Sequence, residues 1–146
     1  MKGNLIFKKS IEIKAPQAKV CDALINQEIT KQYLFGCVPV TDWKVGSPLL
    51  WCGLADGVDY VIGEVVSFEP ETLLATTTFN PHMGHEDIQE NYLTGEYHLS
   101  HANGVTTLII VQGDFAKVKD GQKRYEEAEE SWHFALKQLK KLAEAS

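Results

Sequence analysis

Residues 119–145, KDGQKRYEEAEESWHFALKQLKKLAEA, carry the pattern from which the architecture follows. Tyr125, Ala128, Trp132, Ala135, Leu136, Leu139, Leu142 and Ala143 recur at spacings of three and four, which places them on one stripe of a long helix. Glu126, Glu127, Glu129 and Glu130 fill its first half and Lys137, Lys140 and Lys141 its second, the order that complements a helix macrodipole. Phe134 falls nearly opposite the stripe and reads as a singly exposed aromatic. An amphipathic helix of this length must bury its apolar side on something broad, so the preceding chain is expected to supply a sheet.

That chain has the required texture. Between Phe35 and Phe115 it runs through CVPVTDW, PLLWCGL, DYVIGEVVSF, TLLATTTF, NYLTGEYHLS and VTTLIIVQGDF, short β-rich stretches separated by KVGSP, ADG, EPE and ANG. The Asn-Gly of HANGV suits a type I′ hairpin turn, and six strands with tight links imply an antiparallel meander. A seventh strand is expected at the other end, where Leu5, Phe7, Ile11 and Ile13 alternate with Lys8, Ser10, Glu12 and Lys14. Pro16 then suits the first position of a helix in PQAKVCDALI, and a second short helix follows in QEITKQYL.

Composition narrows the function. At 146 residues and 44% hydrophobic content the chain is expected to form a single domain, residues 1–146. A formal net charge of −6 with no basic cluster argues against nucleic acid and anionic membrane as partners. MKGNLIFKKSIEIK lacks an apolar run of signal-peptide or membrane-span length, so a cytoplasmic protein is expected. Cys21, Cys37 and Cys52 are odd in number and contain no CxxC pair, which reads as reduced thiols.

The order strand, two short helices, six strands, long helix resembles the helix-grip proteins called START-like or SRPBCC, to which the birch pollen allergen type belongs. Within them it is most similar to the family of the heat shock protein 90 ATPase activator's carboxy-terminal domain. The resemblance is carried by IEIKAPQAKVCDAL (11–24), GEVVSFEPETLLATTTF (63–79) and SWHFALKQLKKL (131–142). Tyr33 stands where the family usually has tryptophan at the end of the second helix. The resemblance implies an α+β fold with a curved seven-stranded antiparallel sheet gripping the long helix. It also implies a cavity between the two, a role in stress response, a possible chaperone partner, and a monomer or homodimer. The additional amino-terminal domain of the family's activators is expected to be absent.

Such a cavity suits a small apolar or aromatic molecule. Trp132 on the helix stripe is its leading candidate, with Tyr33, Trp43, Trp51, Phe79 and Tyr97, whose tryptophan and tyrosine heads can donate a hydrogen bond from an apolar wall. Glu96 and His98 are two apart on one strand and therefore share a face, the arrangement of a base with its orienting partner. Their two readings, cavity pair or solvated outer face, remain open. No HExxH, P-loop, GxGxxG or nucleophile elbow supports an enzyme, so a polyketide cyclase-like or hydrolase-like activity rests on analogy with SRPBCC relatives.

NPHMGHE (80–86) places His82 and His85 three apart, with Glu86 and Asp87 after them. Two histidines on a connection of about ten residues fall short of a converging zinc set, so a solvated polar loop beside the cavity mouth is expected, with neither metal nor cofactor.

Overall fold

A computed structural model describes residues 5–145. Seven strands, β1 (Phe7–Ile13), β2 (Cys37–Val40), β3 (Pro48–Gly53), β4 (Asp59–Glu69), β5 (Leu73–Thr78), β6 (Leu93–Ala102) and β7 (Val105–Gly113), form one antiparallel sheet. Helices α1 (Gln17–Ile25) and α2 (Gln27–Tyr33) connect β1 to β2, and α3 (Gly121–Glu144) closes the chain. The sheet order β1-β7-β6-β5-β4-β3-β2 puts the first two strands at opposite edges. The fold is the α+β helix-grip, with the long helix laid across a curved sheet.

Local chemistry accounts for most boundaries. Pro16 lies one position earlier than expected: at φ −67° and ψ 156° it is the extended residue capping α1. The Asn26 side chain accepts the Glu28 N–H and starts α2. Asn103 and Gly104, at φ 55° and 78°, make the tight β6–β7 turn that Asn-Gly favours.

Curvature enters at β4. Its pairing with β3 shifts between Trp51 and Cys52, and its pairing with β5 shifts between Val65 and Ser67, so bulges act on both sides of one strand. Between them Gly63 lies so close to β5 that an added Cβ would sit 1.8 Å from the Thr77 carbonyl oxygen. The next residue, Glu64, donates its N–H to the Thr77 hydroxyl at 3.0 Å.

The core lies between α3, α1 and the inner face of β1, β6 and β7. Ala135, Leu136, Leu139 and Ala143 of the helix meet Phe7, Ile13, Val20, Leu108 and Ile110 there. Phe134 is not a solitary exposed aromatic. Although 53% exposed, it stacks on Phe35 with ring centroids 6.2 Å apart, because the end of α2 rises beside α3.

Asp114 ties the residues before β1 to the connection between β7 and α3, its Oδ1 accepting the N–H groups of Leu5 and Ala116, each at 2.9 Å. These two donors hold its carboxyl below the usual carboxylate range, and the Lys14 N–H does the same for Glu144. A depressed carboxylate contributes stability above its unfolded pKa of about 4 and loses it as pH falls through the lower folded value. Urea unfolding from pH 5 to below pH 3 should therefore show falling stability, with a shallower fall in Asp114→Asn. An unchanged slope in the variant would remove Asp114 from the acid response.

Candidate functional site

A cavity of about 850 Å³, open to solvent, lies between the first half of α3 and the curved part of the sheet. Arg124, Ala128 and Trp132 form its helix wall, spaced four apart and so on one side of α3. Tyr97 and Leu93 of β6 and Gln112 of β7 form the floor. Trp51 of β3 and its register partner Val61 of β4 form the far wall. Leu34 and Phe35, following α2, border the mouth.

The floor joins aromatic surface to hydrogen-bonding groups. The Tyr97 ring meets the Trp132 indole edge-on at 5.9 Å, and Trp132 Nε1–H donates to Gln112 Oε1 at 3.4 Å. Burial pushes the Tyr97 phenol up to about 12, so it remains a neutral hydroxyl. Such walls hold an apolar body while offering a few polar anchors.

Of the residues anticipated for ligand contact, Trp132, Trp51, Phe79 and Tyr97 line this cavity. The other four lie elsewhere. Tyr33 is 2% exposed within the core, its hydroxyl donating to the Ala23 carbonyl at 2.6 Å. Trp43, in the β2–β3 connection at φ 62°, packs on Phe68 at 5.8 Å. Glu96 and His98 do share a face and hydrogen-bond at 2.8 Å, but alternation sends them to the outer face once Tyr97 points inward.

The NPHMGHE segment is more firmly held than a solvated loop. His82 Nε2–H donates to the Asp59 carbonyl at 2.9 Å, at the start of β4. His85 has a side chain only 4% exposed, and its Nε2–H donates at 2.9 Å to Asp120, the residue preceding α3. That bond draws the Asp120 carboxyl below its usual range. Between the two fastenings Met83 turns toward the cavity, as does Asn80 just before them. Among the described residues no group of three or more histidine, cysteine or acidic side chains is arranged to hold a metal ion. All three cysteines are free, Cys21 buried and Cys37 and Cys52 half-buried.

Arg124 was absent from the residues anticipated for the cavity, yet it is 7% exposed and lines it. Its position four before Ala128 and eight before Trp132 was the available signal, since a charged residue on an apolar stripe needs a reason. Burial lowers its pKa, while Asp120 and Glu127 act in the opposite sense. In the described residues no helix is long and apolar enough to cross a membrane.

Comparison with solved structures places the architecture among known ones. The solution structure of ChR145 from Cytophaga hutchinsonii is 32% identical, covering 99% of this chain and 97% of that one at a TM-score of 0.78. The Aha1 dimer from Colwellia psychrerythraea is 16% identical, covers 96% of each chain and gives 0.70. Ara h 8.0201, also 16% identical, covers 99% of this chain and 100% of its own at 0.70, and the latter two share the fold. No curated protein matches the chain. The family model described as activator of Hsp90 ATPase homolog 1-like protein matches residues 14–144, nearly the whole described chain, and the protein belongs to that family.

Proposed function

We propose that the domain binds a small, largely apolar molecule in the cavity between α3 and the sheet and has no dedicated catalytic machinery. The observation that carries this reading is the cavity itself: about 850 Å³ walled by Trp51, Phe79, Leu93, Tyr97, Phe115 and Trp132. That volume falls in the range of small-molecule sites, roughly 300–1,000 Å³. The one hydrogen-bonded acid and histidine pair on β6, Glu96 with His98, lies outside it.

Two of the chain's three tryptophans line the cavity, so binding should be visible in their fluorescence. The neutral probe N-phenyl-1-naphthylamine is expected to quench them and to brighten on binding. Trp132→Ala should weaken its affinity about tenfold, as expected when an aromatic wall is truncated, while Trp43→Ala leaves the affinity unchanged. Absence of a response in the wild type, together with no retained small molecule in native mass spectrometry, would remove the reading.

A second reading is a chaperone cofactor, favoured by the family and by the exposed stacked pair Phe35 and Phe134 near the mouth. Stimulation of heat shock protein 90's ATPase by a cavity-blocked protein, lost in Phe134→Ala, would favour it over ligand carriage.

A further inference from the structure

The chain has a single arginine, and it is spent inside the cavity. Arg124 Nη2 donates to the Asn91 carbonyl at 3.3 Å, whereas Nη1 is buried with no hydrogen-bond partner. A guanidinium keeps its charge, so Nη1 holds two N–H donors on a charged group withdrawn from water. No carboxylate among the described residues pairs with it. Asp120, which contributes to its field, is engaged by His85 at 2.9 Å, and Glu127 stands exposed on the cavity rim. Lys31, also on the wall, is held by Glu28 at 2.6 Å. The cavity wall therefore contains a cationic side chain with an unsatisfied donor.

We propose, resting on the ligand-binding reading above, that the ligand is an amphiphilic carboxylate whose head accepts hydrogen bonds from the Arg124 guanidinium, the side chain turning to bring Nη1 to it. Its apolar body runs from there along Ala128 and Trp132, over Tyr97. Asp120 and Glu127, which both act on the guanidinium, work against a second negative charge on the ligand and so disfavour a dianionic phosphate relative to a monoanion. The planar fork of arginine also matches a carboxylate in shape.

The test compares dodecanoate, methyl dodecanoate and dodecyl phosphate, each below its micelle concentration, by tryptophan fluorescence on the wild type, Arg124→Gln and Arg124→Lys. Dodecanoate should bind the wild type about tenfold more tightly than the ester, a difference of about 1.4 kcal/mol. Dodecyl phosphate should bind no more tightly than dodecanoate. Arg124→Gln should abolish the preference for acid over ester, and Arg124→Lys should retain part of it. Equal binding of acid and ester, an undiminished preference in a folded Arg124→Gln, or tighter binding of the phosphate would each overturn the assignment. If Arg124→Gln does not fold, the wild-type acid and ester pair decides alone. Ester binding without acid preference would defeat only this inference, whereas no binding of any probe would defeat the ligand-binding reading as well.

Discussion

Leu139→Ala is expected to lower the unfolding free energy by about 3 kcal/mol, within the range of about 2–5 for a buried leucine truncated to alanine. Leu139 is 0% exposed and belongs to the cluster joining α3 to β1, α1 and β7. The loss has two parts: the transfer free energy of the missing carbons, and the cavity left in packing that relaxes only partly. Urea denaturation should show a lower midpoint with an unchanged slope. Phe134→Ala, at a residue 53% exposed, should cost less than about 1 kcal/mol. A loss below about 1 kcal/mol for Leu139→Ala would mean that α3 is not anchored through this stripe.

Gly63→Ala is expected to cost about 3 kcal/mol, the upper part of the ordinary range for overpacking. The added methyl would meet the Thr77 carbonyl oxygen at 1.8 Å and its carbon at 2.6 Å, and a backbone carbonyl in a paired strand has no rotamer with which to yield. β4 and β5 must part, and the bond from Glu64 N–H to the Thr77 hydroxyl goes with them. Since Val61 stands two residues before Gly63 on β4 and Trp51 on the adjoining β3, the variant should also bind N-phenyl-1-naphthylamine more weakly than its loss of stability explains. A protein of wild-type stability with alanine at this position would show that the strands have room to separate.

These two residues mark what the chain's order of amino acids does and does not reveal. Leu139 was legible, because a stripe repeating at three and four residues defines both a helix and its buried side. Gly63 was not, because its role comes from the crowding of one neighbouring carbonyl, a tertiary distance without a sequence period. At the site, Trp132 followed from the helix stripe, but Glu96 and His98 conflicted with Tyr97 by simple alternation, and only the placement of Tyr97 settles which parity faces inward. Trp43 depended on a left-handed backbone angle in a connection, and Tyr33 on how α2 tilts into the core. His85 looked solvated because its partner, Asp120, is distant in the chain.

The placement of β1 at one edge, paired with β7, also sets a schedule for the chain's birth. Phe7 lies opposite Gln112, so the first strand leaves the ribosome roughly a hundred residues before its partner exists. At about 5–20 residues per second that is on the order of 5–20 seconds of waiting. Meanwhile β3 to β6 can assemble hairpin by hairpin, but the early segment keeps Phe7, Ile11 and Ile13 uncovered. Its Lys8, Lys9 and Ser10, all exposed in the finished sheet, interrupt that apolar strand and make it a poor template for association with other nascent chains.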